Sequence, residues 1–135
     1  MSLLDIEDLS IGYLSGRTVI RAVESLTLSI SPGETVGLVG ESGSGKSTAI
    51  QGLLRILGPP GVILGGAVRF KGQDILRMDE EALRQLRWEE ISLVPQSALS
   101  SLNPVLTVAQ HISDTLRAHR PSTTAAELAA KGAEL

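Results

Sequence analysis

A glycine-rich loop carries the residues with the clearest potential for chemistry. Gly40, Gly45, Lys46 and Ser47 match the pattern G-x-x-x-x-G-K-S/T, and Gly43 adds a further glycine inside it. Between a strand and a helix, such a loop can turn successive backbone N–H groups inward, because glycine permits the tight turn and the close approach. Together with the helix N-terminus, these N–H groups form a site for phosphate oxygens.

The motif predicts a role for each polar position. Lys46 would lie between the β- and γ-phosphates of a nucleoside triphosphate, Ser47 would offer its hydroxyl to Mg²⁺, and Thr48 would bind nearer the α-phosphate. A flexible surface turn is the alternative, but four fixed positions rarely match by chance when glycine is about 7% of residues. We therefore predict a nucleotide site with the following residues, in which the Glu41 carboxylate faces away: Gly40, Glu41, Ser42, Gly43, Ser44, Gly45, Lys46, Ser47 and Thr48.

The flanking residues supply the strand and the helix that the loop requires. Before it, the short apolar run "TVGLVG" (35–40) is typical of a central strand covered on both faces. After it, "KSTAIQGLLRIL" (46–57) predicts a helix, because its apolar residues fall on one face. That face consists of Ala49, Leu53, Ile56 and Leu57.

The remaining patterns predict alternating strands and helices. Residues 3–11 and 19–30 alternate apolar and polar side chains, so we expect two paired strands joined by the turn-rich stretch "GYLSGRT" (12–18). The inward set of the second strand would be Val23, Leu26, Leu28 and Ile30. Further on we predict a strand with a turn at 65–75, a helix at 79–90, a short strand "ISLV" at 91–94 and a helix from Val108 to about Ala118.

Two pairs of residues have the spacing of a helix capping box. Thr107 and Gln110 precede the helix predicted from Val108, and Thr124 and Glu127 repeat the spacing near the end of the sequence. His111 and His119 lie on the same helical region with no third metal ligand nearby, so we interpret them as solvated side chains.

Composition restricts the class of protein. With 135 residues the chain forms at most one domain, and its net charge of −3 gives no basic footprint, so we expect no nucleic-acid partner. No apolar run approaches the roughly 20 residues of a membrane span. Cysteine is absent, which excludes disulfides and thiolate metal sites and agrees with a cytosolic setting.

The glycine loop "GESGSGKST", followed about fifty residues later by "VPQSALSSLNPVLTV", closely resembles the ATP-binding subunits of ATP-binding-cassette (ABC) transporters. Within that superfamily the segments "GGAVRFKGQDIL", "LRQLRWEEISLVPQ" and "SSLNPVLTV" are most similar to importers of oligopeptides, dipeptides and nickel. The resemblance implies an α/β phosphate-loop (P-loop) NTPase fold with an antiparallel N-terminal β subdomain. Residues 1–95 would form the β subdomain and the P-loop core, and residues 96–135 the glutamine loop and the start of a helical subdomain.

The resemblance also implies functional residues beyond the glycine loop. Gln96 would be the glutamine that contacts Mg²⁺ and the attacking water, and with Lys46 it would be catalytic. Tyr13, in the turn between the first two strands, would stack on adenine. The chain departs from the family in one respect, because Ser97 and Ala98 replace the more usual acidic residue and proline after the glutamine.

The implied parent protein would bind ATP and Mg²⁺ and hydrolyse ATP to drive import of peptides or a related solute. Its partners would be transmembrane permease subunits and a second ABC ATPase subunit, identical or different, and it would lie on the cytoplasmic face of the membrane. "LSGR" (14–17) is similar to the ABC signature "LSGGQ", but it precedes the glycine loop, so we interpret it as a hairpin turn.

Two motifs of the family are not found in the sequence. No run of about four apolar residues is followed by Asp-Glu, and no signature motif follows Gln96. We therefore expect the chain to correspond to the N-terminal part of a cassette that ends within the helical subdomain, to bind ATP weakly if at all and show no turnover alone, and to associate through unpaired sheet edges. Two alternatives stay open: a non-transport ABC protein of translation or DNA repair, and a P-loop kinase or GTPase, although no guanine-selecting "NKxD" is present.

Overall fold

The computed structural model describes residues 2–98, 102–120 and 124, and the chain divides into two compact units, Met1–Leu83 and Arg84–Leu135. The first unit contains a four-stranded antiparallel sheet with the strand order β2-β1-β3-β4. Its strands are β1 (Leu4–Ser15), β2 (Thr18–Ile30), β3 (Gly61–Phe70) and β4 (Gln73–Asp74). The helices are α1 (Lys46–Leu53), a 3-10 turn (Ile75–Arg77), α2 (Glu80–Glu89) and α3 (Val108–His119).

Two bulges bring the apolar side chains of β1 and β2 to one face. Ile6 and Leu9 are three residues apart and would face opposite sides of a regular strand, but Asp8 has φ 48° and the register shifts there. Both side chains are consequently buried. Ser25, with φ 49°, does the same for β2. The predicted inward set of β2 is confirmed as half-buried residues opposite the apolar positions of β1: Ile11↔Val23, Leu9↔Leu26, Ile6↔Leu28 and Leu4↔Ile30.

The β1–β2 connection is shorter than predicted. The turn contains only Gly16, with φ 60°, and Arg17, so the interpretation of "LSGR" as a hairpin turn is confirmed. The expected break at 12–14 is wrong, because Tyr13 lies within β1, paired with Ile20 on one side and Gly61 on the other. Pairing to two neighbouring strands overrides the turn-like composition of this stretch.

The core of the first unit lies between the sheet and α1. Its fully buried side chains are Leu9, Ile11, Val68, Ile75 and Leu83, with Ile6, Ala49, Leu54 and Phe70 also buried. Close approach of α1 to β1 requires a glycine, because a Cβ at Gly52 would lie 2.2 Å from Ile11 Cδ1.

Helix α1 ends earlier than the apolar pattern predicts. It stops at Leu53, and Arg55 adopts φ 53°, so Ile56 is 42% exposed and does not extend the buried face. The guanidinium of Arg55 donates to the carbonyl oxygens of Met78 (2.6 Å) and Ile75 (3.3 Å) and to the Glu80 carboxylate (2.9 Å). These contacts connect the end of α1 to the 3-10 turn and the start of α2.

Two predicted strands are not strands. Residues 35–40 and 91–94 have no regular structure, and Val39 and Val94 are 93% and 82% exposed. In the described part of the chain, the ladders join β1 to β2, β1 to β3 and β3 to β4, and neither segment has a neighbouring strand in its own unit. An apolar run becomes a strand only when its backbone N–H and C=O groups find a ladder partner.

In the second unit, the predicted capping box of α3 is confirmed. Thr107 Oγ1 accepts from the Gln110 N–H at 3.2 Å, and the Thr107 N–H donates to Gln110 Oε1 at 2.7 Å. His111 is not merely solvated, because its Nδ1 lies 3.0 Å from the Thr107 carbonyl oxygen and its Nε2 accepts from the Asn103 N–H at 2.9 Å. The capping box predicted for Thr124 extends to Glu127, which lies outside the described residues.

Among residues 2–98 and 102–120, no helix is long and apolar enough to cross a membrane.

Candidate nucleotide-binding site

The glycine loop turns sharply into α1 through two residues in the left-handed region. Gly43 has φ 80° and Gly45 has φ 88°, where a residue with a Cβ is strained. Within the loop the Ser44 N–H donates to the Glu41 carbonyl oxygen at 3.2 Å, and the Ala49 N–H donates to that of Gly45 at 2.8 Å. Left-handed glycines next to a helix start are typical of a backbone nest that binds anions.

Lys46 lies over this loop and is held by it. Its Nζ donates to the carbonyl oxygens of Gly40 (2.7 Å) and Glu41 (2.6 Å) and to Ser44 Oγ (3.1 Å). Glu41 therefore contributes to the loop through its backbone, as Gly40 does. All three acceptors are neutral, so no carboxylate compensates the charge of the ammonium in these bonds, and a phosphate oxygen that binds Lys46 would replace one or more of these acceptors.

The loop, the start of α1 and the β-hairpin line an open pocket of about 210 Å³. Its lining residues all belong to the first unit: Tyr13, Ala22, Gly43, Ser44, Gly45, Lys46, Ser47 and Thr48. The N-cap position of α1 is Gly45, which provides no side-chain cap, and no acidic residue lies in the first turn. The first N–H groups of the helix have no intrahelical partner, so this end of the pocket favours negative charge.

Tyr13 also lines the pocket and contacts the first turn of α1. Its hydroxyl oxygen lies 2.9 Å from Thr48 Oγ1, across 35 positions of sequence. The aromatic ring from β1 is therefore beside the first turn of α1. The sequence predicts both residues as site residues, and the structure brings them together.

The contact between the loop and β2 is a feature that sequence reasoning missed. A Cβ at Gly45 would lie 2.4 Å from the Ala22 carbonyl oxygen and 3.3 Å from Val23 Cγ2. Gly45 is therefore required both by its φ and by the backbone beside it. No residue type in the sequence signals this close approach, because it is made by the backbone carbonyl of Ala22 and not by its side chain.

Four predicted site residues are not among those that line the pocket: Gly40, Glu41, Ser42 and Gln96. Gly40 and Glu41 contact Lys46 through their carbonyl oxygens. Ser42 is on an exposed turn of the loop. Gln96 belongs to the second unit, where it occupies an exposed turn after α2, and its assignment remains a sequence prediction.

The residues present fit a phosphate-bearing ligand. The pocket combines a backbone cradle that side chains would obstruct, one ammonium, two hydroxyls on α1 and one aromatic ring. Such a donor set suits phosphate oxygens, and a hydroxyl such as that of Ser47 suits Mg²⁺, a hard cation that needs few protein ligands. No cluster of three or more His, Asp or Glu residues that could hold a metal occurs among the described residues.

Comparison with known proteins agrees with a nucleotide-binding site. The family described as ABC transporter matches residues 23–134. The chain is 44% identical over 132 residues to the dipeptide transport ATP-binding protein DppD of Caldanaerobacter subterraneus, covering 98% of this chain and 40% of that protein. It is 33% identical over 123 residues to the dipeptide transport ATP-binding protein DppD of Haemophilus influenzae, covering 91% of this chain and 37% of that protein.

Solved structures with the same fold include two of the cassette MJ0796, both described as dimeric and one of them as a post-hydrolysis state bound to ADP and Pi. Each has a TM-score of 0.80 at 25% identity and covers 97% of this chain and 54% of the other. The chain thus spans about two fifths of the curated relatives and about half of the solved cassette. Its fold is the α/β P-loop fold with an antiparallel β subdomain, and the chain belongs to the ABC transporter family.

Proposed function

We propose that the pocket between the glycine loop and Tyr13 binds ATP with Mg²⁺, as the ATP-binding component of an importer for peptides or a related solute. The observation that carries this proposal is the Lys46 ammonium held over a loop whose glycines shape an anion cradle. The names of the two dipeptide transport relatives favour transport over the non-transport and kinase or GTPase alternatives.

In this proposal, different residues of the pocket bind different parts of the nucleotide. Lys46 and the N–H groups from Gly43 to Thr48 bind the phosphates, Ser47 provides a hydroxyl for Mg²⁺, and Tyr13 provides a face for the base. Mg²⁺ supplies charge neutralisation to the β- and γ-phosphate oxygens when bound. Gln96 acts at the water and the metal, since an uncharged amide can orient both without titrating.

The whole protein, in this proposal, hydrolyses ATP on the cytoplasmic face of the membrane together with permease subunits and a second ATPase subunit. We divide the chain at Gln96. Residues 1–95 form the β subdomain and the P-loop core, and residues 96–135 form the glutamine loop and the start of the helical subdomain. The segment around Gln96 to Val108 would contact the permease.

Calorimetric titration of the full-length protein with Mg·ATP tests the binding step. We expect Lys46→Ala to abolish measurable binding, because the charge that neutralises the phosphates is lost. Lys71→Ala is a matched control that removes the same charge at a residue outside the pocket lining, and it should bind like the wild type. Equal binding by Lys46→Ala and wild type would refute the proposal. Peptide-dependent phosphate release by the full-length protein with its permease tests the transport step.

A further inference from the structure

The hydrogen bond between Tyr13 and Thr48 joins two elements that line the pocket, strand β1 and helix α1. Tyr13 lies in β1 and is paired with Ile20 of β2 on one side and with Gly61 of β3 on the other. The neighbouring strands therefore hold its backbone in place. Thr48 is on the first turn of α1, directly after Lys46 and Ser47. The bond of 2.9 Å therefore joins a sheet-bound ring to the helix that carries the phosphate-facing groups.

The direction of this bond follows from what the pocket is proposed to bind. A hydroxyl has one hydrogen to donate and can accept as well, whereas phosphate oxygens only accept. If Tyr13 donates to Thr48 Oγ1, the Thr48 hydrogen remains free for a phosphate oxygen. Thr48 can then accept from the ring and donate to the ligand at the same time.

We propose that the Thr48 hydroxyl is a positioning group for the Tyr13 ring, holding the ring in position for a nucleobase while the same side chain faces the phosphates. This inference rests on the proposed nucleotide site. In it, the hydroxyl pair of Tyr13 and Thr48 makes the site prefer a nucleotide to a polyphosphate without a base. A ring held in place before the ligand arrives loses less conformational freedom on binding, so the hydroxyl pair contributes to affinity without touching the base.

The experiment compares two probes, Mg·ATP and magnesium tripolyphosphate, on the full-length protein by calorimetry. Tyr13→Phe keeps the ring and removes only its hydroxyl. We expect it to raise the Kd for ATP by about 2- to 10-fold, the range of one hydrogen bond, and to raise the Kd for tripolyphosphate by less. A role in folding alone would change both Kd values by the same factor.

A double-mutant cycle assigns the effect to the pair. Thr48→Val removes the partner hydroxyl at constant shape, and in that background Tyr13→Phe should have no further effect on ATP binding. Thr48→Ser keeps a hydroxyl and should restore most of the preference for ATP. Additive effects of the two substitutions, or an unchanged Kd for ATP in Tyr13→Phe, would overturn the inference while leaving ATP binding intact. Failure of the wild type to bind either probe would overturn the proposed function and this inference together.

Discussion

The carbonyl oxygen of Ala22 on β2 occupies the space that a side chain at Gly45 would need. The distance from that oxygen to the position of a Cβ on Gly45 is 2.4 Å, well below any normal contact. The glycine loop is thus shaped by the hairpin as well as by its own sequence. The conflict lies between a Cβ and a backbone oxygen, so it cannot be relieved by a change of rotamer.

Gly45→Ala should therefore both destabilise the protein and weaken ATP binding. We expect the free energy of unfolding to fall by about 2–5 kcal/mol, the sum of left-handed strain and overpacking. Gly43→Ala is the matched control, because Gly43 has a similar φ of 80° but nothing within 4 Å of the position that its Cβ would take. It should lose only about 1–2 kcal/mol. Urea unfolding of both variants measures the difference, and equal losses would contradict a role for Ala22.

The contact of α1 with β1 gives a second prediction. Gly52→Ala should cost about 1–3 kcal/mol through overpacking, because its Cβ would lie 2.2 Å from Ile11 Cδ1. Ile11→Val removes that methyl group, so the double variant Ile11→Val with Gly52→Ala should recover part of the loss. Thermal unfolding measures this coupling. If the stability changes of the two substitutions are additive, α1 does not approach Ile11 as closely as described.

The contacts of Arg55 predict that its hydrogen bonds to backbone carbonyl oxygens contribute more stability than its exposed ion pair. Its guanidinium bonds two carbonyl oxygens as well as Glu80, and the Glu80 side chain is 79% exposed. Arg55→Ala should cost about 1–3 kcal/mol because it removes charge-assisted bonds to backbone carbonyls. Glu80→Ala should cost less than about 1 kcal/mol, as is usual for an exposed ion pair. Chemical denaturation of the two variants compares them, and a larger loss in Glu80→Ala would contradict this ranking.

The acid sensitivity of the first strand follows from Asp5. The hydroxyls of Ser2 and Ser29 donate to its carboxylate, and these bonds lower the pKa of Asp5 below its ordinary value. The resulting stabilisation is present above the unfolded-state pKa and is lost as the pH falls through the folded-state pKa. Ser29→Ala should raise the pKa of Asp5, as followed by NMR titration. Ser15→Ala, at the other end of β1, should leave it unchanged.

His111 supports the segment before α3. His111→Ala removes the acceptor of the Asn103 N–H and the partner of the Thr107 carbonyl. We expect the Asn103 amide to lose protection against hydrogen exchange, by an amount equivalent to about 0.5–1.5 kcal/mol. His119→Ala makes the same change at the end of α3 and should not affect Asn103. Unchanged protection in His111→Ala would mean that other contacts hold this segment.

Features determined by short-range interactions were predictable from the sequence. The left-handed turn of the glycine loop follows from the residue types at Gly43 and Gly45, the α3 capping box from the spacing of Thr107 and Gln110, and the hairpin turn from Gly16. In each case the interacting groups lie within a few residues of one another. Their geometry is fixed by local backbone sterics and local hydrogen bonds, which a single sequence encodes directly.

Only the tertiary structure decided which apolar runs become strands and what surrounds the loop. Residues 35–40 and 91–94 have strand composition but no ladder partner within their unit, whereas Tyr13 has a turn-like context and two partners. The hydroxyl pair of Tyr13 and Thr48 joins positions 35 residues apart. Such contacts depend on how distant segments are brought together in space, because backbone pairing and close packing need a second surface that local composition does not specify.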